Sequence, residues 1–159
     1  MTERVFTQTF GVVGAIIEKD GKFLLVKEGD HNKAAYGKWN QPAGWIDLEE
    51  DIISAVKREV SEETGYDFVP KNILGIYILV KKEGENIHHA VKIIFIGDIS
   101  ENKVRKLEDD ISEARWFTPE EIENMGLDIL RDLDIKTEIA DYLSGKKYSL
   151  ELLTHTIQK

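Results

Sequence analysis

Three glutamates crowd the end of one helical run, Glu59, Glu62 and Glu63 in REVSEETG, and no other feature constrains the chain as strongly. Residues three and four apart are neighbours on a helix, and like charges so placed destabilise it by roughly 0.2–0.5 kcal/mol per pair. They also sit at the C-terminal end, where the helix dipole disfavours negative charge. On a wheel of about 100° per residue with Ile52 at zero, Val56 falls at about 40°, Val60 at about 80° and Ile53 at about 100°. That is an apolar stripe facing a core. Glu63 falls inside it at about 20°, Glu59 on its edge at about 340°, and Glu62 beside Glu59 at about 280°. The bland alternative is a solvated helix end. Against it, the stripe runs straight into Glu63, and Arg58 alone does not neutralise three acids. Half-buried carboxylates persist when they are paired or bind a metal.

Cysteine is absent, which excludes disulfides, thiolate metal sites and thiol nucleophiles. With oxygen donors only, the expected ion is hard, Mg²⁺ or Mn²⁺. The chain lacks the D-x-[DN]-x-[DN]-G loop of an EF-hand. Lys and Arg total 21 against 30 Asp and Glu, a net charge of −9. Such a surface repels a nucleic-acid backbone, and no basic stripe with interleaved aromatics offsets it, so polymeric nucleic acid is not an expected partner. A small anionic ligand needs a cation to mediate its binding. At 42% hydrophobic and 32% charged, residues 1–159 fit one globular domain. No apolar run approaches the ~20 residues that span a bilayer, so no membrane partner is expected. The start MTERVFTQTF has neither the basic opening nor the apolar centre of a signal peptide, and a cytoplasmic location is expected.

Along the chain, residues 11–18 and 22–28 read as a β-hairpin about the turn Lys19-Asp20-Gly21. Residues 29–38 read as a surface loop, and residues 39–45 as a short irregular strand or turn. Residues 51–64 are predicted helical with Gly65 as the stop. Strands are predicted over 73–82 and 90–99, joined by the turn EGEN, with a third over 113–117. Thr118 followed by Pro119, Glu120 and Glu121 marks a helix start, and a last helix is predicted over 135–143. The order β–β–α–β–β–β–α–α implies an α/β (α+β) sandwich with a mixed sheet.

Upstream of the acids the spacing is regular. Gly44 is followed after five residues by Glu50, and after seven more by Arg58-Glu59-Val60, one residue, Glu62-Glu63, one residue, and Gly65-Tyr66. Residues 44–66 thus resemble the Nudix box, G-x5-E-x7-R-E-U-x-E-E-x-G-U, where U is a bulky apolar residue. All seven fixed positions match, and Tyr66 stands where an aliphatic residue is usual. Outside the box, Pro42-Ala43-Gly44 replaces the more frequent PGG, and residues 111–121 resemble the strand and helix start near the end of that family's fold. The likeness spans about Val5 to Leu153.

The resemblance implies a MutT-like α/β/α sandwich with a central mixed β-sheet, hydrolysing a nucleoside diphosphate linked to a further group. Carried over, Glu59, Glu62 and Glu63 are metal ligands, joined by a backbone carbonyl at Ala43 or Gly44. Glu59, Glu62 and Arg58 form the catalytic group, with Gly44, Glu50 and Gly65 in support. Arg58 is expected to pair with Glu62. The general base lies either on the box helix or in the loop before the last strand. There Glu108, Asp109, Asp110 and Glu113 are candidates, Asp110 and Glu113 foremost. An exposed acidic turn is the plain alternative for that loop. His88 and His89 are read as surface or sheet-packing residues. Tyr36, Trp39 and Trp45 are read as packing, with base stacking as the alternative.

The substrate is expected to be a small pyrophosphate. The SQPWPFP run of NADH hydrolases is missing, no proline lies about 15 residues past Gly65 as in ADP-ribose enzymes, and LVKK stands where dinucleoside polyphosphate enzymes carry tyrosine. KWNQPAG and the tail from Tyr142 to Leu152 are similar to a bacterial Nudix phosphatase group acting on nucleoside tri- and diphosphates and on the pyrophosphate of the thiamin pyrimidine precursor. Ser149 departs from the proline usual there. A non-catalytic Nudix-fold sensor is the alternative, although such modules usually lose box residues that are intact here. A homodimer is admitted but not implied.

Overall fold

The computed structural model describes residues 9–31 and 33–158. The N-terminal stretch weighed above as a signal peptide lies mostly outside them. The strands are β1 (Thr9–Ile16), β2 (Glu18–Lys19), β3 (Lys22–Glu28), β4 (Trp39–Asn40), β5 (Ala43–Trp45), β6 (Phe68–Glu83), β7 (Asn86–Ile99) and β8 (Ile111–Phe117). The helices are α1 (Ile52–Thr64), α2 (Pro119–Glu123) and α3 (Asp134–Leu143), with a 3-10 turn at Leu150–Leu152. Among the described residues no helix is long and apolar enough to cross a membrane.

The central mixed sheet has the order β5-β1-β7-β6, with β1 parallel to β7 and antiparallel to β5. A second, antiparallel sheet is built on β3, which pairs with β2, β4 and β8. The hairpin predicted over 11–18 and 22–28 therefore shrinks to its turn. Asp20 and Gly21 adopt φ 52° and 74°, the paired left-handed geometry of a tight two-residue hairpin loop. Pairing extends only through Glu18–Lys19 and one bond from Leu24 N–H to Ile17 O at 3.0 Å. Beyond that, both edges of β1 are taken by β5 and β7, so β3 belongs to the other sheet.

The 39–45 segment divides for the same reason. Trp39 and Asn40 pair with β3, Ala43 to Trp45 pair with β1, and the chain crosses between sheets at Gln41-Pro42. Strand β6 starts earlier than predicted, because its register shifts accommodate Pro70, which has no N–H to give the ladder. Strand β8 starts at Ile111, so Glu113 sits on a strand and not in the loop.

Helices cover both faces. Val13, Ala15, Leu24, Ile73 and Phe95 turn towards Ala55, Val56 and Val60 of α1. Their neighbours Ile16, Phe23, Leu25, Leu74 and Ile94 turn towards Ile122 of α2 and Ile135 and Ile139 of α3. Strands buried on both faces read as continuous apolar runs, as FLLV in β3 does.

Candidate active site

The acidic helix is fixed at both ends. Asp51 caps it, accepting from Ser54 N–H at 2.9 Å. Gly65 closes it at φ 79°, donating to Ser61 O at 2.9 Å. The segment before β8 then docks on the exposed carbonyls, with Glu108 N–H donating to Glu62 O at 3.0 Å and Val104 N–H to Gly65 O at 2.8 Å. Helix α1 therefore presents its last turn beside the candidate base loop.

Arg58 organises the acids. Its Nε and Nη2 grip both oxygens of Glu50 at 2.8 and 2.9 Å, Nη1 reaches Glu59 at 2.7 Å and Glu62 at 3.1 Å, and Nη2 also donates to Trp45 O at 2.9 Å. The expected Arg58–Glu62 pair is present, but the two-pronged bond to Glu50 is the stronger geometry. It holds the Glu50 carboxyl below its usual range and Arg58 above its own.

Glu59 and Glu63 differ from Glu50. Burial raises the Glu59 carboxyl against the pull of Arg58, with Glu62 and Glu108 adding to the rise. Burial raises Glu63 well above the usual range, opposed by one N–H from Ala43 and reinforced by Glu59, Glu28 and Asp110. That N–H lies 2.9 Å from Glu63 Oε2. Glu59 packs on Gly44, where any side chain would collide with its carboxylate. Residues 43 and 44 thus meet the last turns of α1 through a backbone amide and a missing β-carbon.

The candidate base loop divides. Glu108 is half-buried, and its carboxyl is raised by burial and by Glu62 and Asp110. Asp109 and Asp110 are exposed, Asp110 close enough for its charge to raise Glu63. Glu113 is exposed on β8 in register with Lys27, and Glu28 is the β3 acid whose charge reaches Glu63. Among the described residues no three acidic or histidine side chains stand ready to cage an ion, since Arg58 Nη1 takes an oxygen from both Glu59 and Glu62. The donor chemistry nevertheless fits a hard divalent cation. It is all oxygen, and Glu63 meets no protein cation among the described residues.

On the other side of β5 lies a cleft of about 500 Å³, lined by Ala43 and Gly44 and by Phe10, Asn40, Trp45 and Lys92. Trp45 is 60% exposed and stacks on Phe10 with ring centroids 4.6 Å apart. Trp39 is instead core, edge-on to Phe117. Tyr36 is exposed, and His88 and His89 lie within β7, with His88 on the cleft wall. Asn40 is buried, and its Oδ1 has no partner among the described residues.

The NUDIX domain model matches residues 7–135. The chain belongs to the Nudix family. This Nudix chain is 30% identical over 141 residues to Phosphatase NudJ of Escherichia coli (strain K12), the match covering 89% of this chain and 88% of the relative. A NUDIX hydrolase from Nitrosomonas europaea superposes with a TM-score of 0.82 at 36% identity, covering 94% of this chain and 98% of that one. The MutT protein from Methanosarcina mazei Go1 gives 0.72 at 27% identity, covering 91% and 100%. As a Nudix hydrolase, the protein is a pyrophosphohydrolase, an enzyme acting on acid anhydrides.

Glu28 and Glu138 are absent from the sequence-derived candidates. Glu138 flanks the apolar stripe of Ile135, Ile139 and Tyr142 on α3, a weaker signal than that of Glu63, which lies inside its stripe. Glu28 has no such signal. It ends a strand, and its burial depends on Arg131 folding over it.

Proposed function

We propose that residues 1–159 form one cytoplasmic Nudix domain that uses Mg²⁺ or Mn²⁺ to cleave a phosphoanhydride bond in a nucleoside tri- or diphosphate or a thiamin-type pyrophosphate. The observation that carries this reading is the position of Ala43 and Gly44, which touch the acids of α1 and line the cleft. A ligand in the cleft thereby meets the carboxylates at a shared wall.

Glu59, Glu62 and Glu63 would hold the ion, with a backbone carbonyl of Ala43 or Gly44. A divalent ion there neutralises the pyrophosphate and lowers the pKa of an attacking water. Arg58, gripped by Glu50, keeps the acids from spreading and gives Glu59 and Glu62 a fixed orientation. Glu108 is the first candidate for proton acceptor, because its backbone docks on Glu62 O beside the acids and burial raises its carboxyl. Asp110 is the second candidate, and Glu113 is the least suited, being exposed on β8. Trp45 and Phe10 offer a flat apolar face for a base or pyrimidine ring, and Asn40 lines the same cleft. Lys38, Lys81, Lys92 and Arg131 line the cleft beside Asp132, and all but Lys38 are held in ion pairs with acids.

Support for the substrate class comes from KWNQPAG, the C-terminal likeness and the similarity to a relative named a phosphatase. Tyr148 pairs with Ile73 in both directions, at 2.7 and 2.9 Å, and Ser149 caps the following 3-10 turn. Serine therefore serves where proline is usual. A panel of pyrophosphates with Mg²⁺, read for phosphate against pyrophosphate release, tests the proposal. Preference for ADP-ribose or a diadenosine polyphosphate would overturn the substrate class and leave the family intact.

A further inference from the structure

The crossover carrying Ala43 and Gly44 to the acids is held from the opposite layer. Glu138, on α3, is fully buried. Its Oε2 accepts from Gln41 Nε2 at 2.5 Å, and its Oε1 accepts from Lys92 Nζ at 2.7 Å. Lys92 also donates to Asp134 Oδ2 at 2.5 Å, and its side chain lines the cleft. Gln41 is buried in turn, and its Oε1 has no partner among the described residues. Pro42 follows with no N–H to offer, its carbonyl accepting from Ala15 N–H at 3.0 Å. The next residue is Ala43, whose N–H meets Glu63. A carboxylate under one face of the sheets thus fixes, through one glutamine, the backbone that meets a carboxylate on the other face.

A buried cluster of one lysine and two acids is a poor way to hold a fold together. Desolvating the charges offsets most of their attraction, and apolar side chains of equal volume do as well or better. What apolar side chains do not supply is direction. Hydrogen bonds to Glu138 place the Gln41 amide and the Lys92 ammonium at set points.

We infer that Glu138 is a positioning residue for hydrolysis, holding Ala43 and Gly44 against Glu63 and Glu59 through Gln41, and setting Lys92 in the cleft wall. The inference rests on the metal-dependent reading proposed above. Residues that orient a metal site without touching the ion typically change its affinity or activity by about 10–100-fold when replaced.

The test uses metal-stripped protein without substrate, titrated with Mn²⁺ by electron paramagnetic resonance, together with kcat, KM and thermal melting. Gln41→Met and Glu138→Met keep the bulk and remove the tether. Both are expected to weaken Mn²⁺ binding and lower kcat by about tenfold or more. Metal-free melting stays within a few degrees of wild type for Gln41→Met, while Glu138→Met melts lower because Lys92 loses a buried partner. Glu138→Gln keeps an acceptor for Gln41 and is expected to bind Mn²⁺ within about threefold of wild type, a rescue that bulk packing alone does not predict. Lys92→Met is expected to raise KM more than it lowers kcat. Wild-type Mn²⁺ affinity and kcat in Gln41→Met overturn the inference, and this variant decides the matter if Glu138→Met does not fold. A Glu59→Gln control that binds Mn²⁺ as wild type does overturns instead the metal reading beneath it.

Discussion

An ideal β-carbon on Gly44 would lie 2.1 Å from Glu59 Cδ, so strand β5 and the α1 carboxylate touch only because residue 44 has no side chain. The obstructing atoms are the far end of a flexible side chain, and Gly44 does not have the positive φ that strains alanine. Gly44→Ala is therefore expected to fold and to push the Glu59 carboxylate aside. Turnover should fall by about 10²-fold or more, the size of a lost electrostatic contribution, with melting lowered only a few degrees. Normal turnover in this variant would show that the Gly44–Glu59 contact has no catalytic use.

Glu→Gln at positions 59 and 63 separates a metal site from an ion pair. Burial already disfavours the charged form of both groups. Removing the charge should leave metal-free melting level or raise it, while kcat falls by about 10²-fold or more. Wild-type protein should melt higher in Mg²⁺, by about 2.7 kcal/mol when the ion is at 100 times its Kd, and the two variants should lose that gain. If the variants melt lower without metal, the acids are structural.

Arg58→Lys asks whether one point charge can replace a planar fork. An ammonium does not span both oxygens of Glu50 while serving Glu59, Glu62 and Trp45 O. Urea unfolding should show a loss of about 1.5–3 kcal/mol, the range for hydrogen bonds to charged groups. Glu50→Gln keeps one acceptor for Arg58 and should cost less. Equal losses in the two variants would mean that the contacts to Glu59 and Glu62 add nothing.

Glu138 makes stability depend on pH. It faces Lys92 on β7, Gln41 in the crossover, Tyr77 on β6, Asp134 at the start of its own helix and Asp132 just before it. Burial pushes its carboxyl from an ordinary 4.5 up to about 7; Lys92 pulls against this and Asp134 adds to it. A raised carboxyl means the native state holds the proton more tightly. The resulting stability is complete below the unfolded value of 4.5 and disappears as pH climbs through 7. Relative to Glu138→Gln, wild type should therefore lose stability as pH rises across this window. Unfolding curves of the two proteins that shift in parallel from pH 4.5 to 7.5 would mean that Glu138 is ionised throughout.

Much of the candidate site was legible because it is local. The apolar stripe entering Glu63 and the Gly65 stop belong to one helix, where periodicity reports burial directly, while Asp51, read as the first helical residue, is its cap. Turn chemistry was legible too, as Asp20-Gly21 shows. Partners were not. Nothing within residues 9–16 shows that they pair with β7 and β5 and not with β3, since strand pairing is decided by tertiary context. The grip of Arg58 on Glu50 and the tie between Gln41 and Glu138 join separate elements in the same way, and spacing within a helix does not reveal them.

Strand β1 sends Val13 and Ala15 into one core and Ile16 into the other, and is paired along both edges. Side chains alternate along a strand, so one added residue would exchange the contents of the two cores at a stroke. Substitutions in β1 that keep the apolar alternation are therefore expected to be tolerated where a change of length is not. Insertions belong at places such as the exposed loop Gly84-Glu85, where an extra residue meets only water.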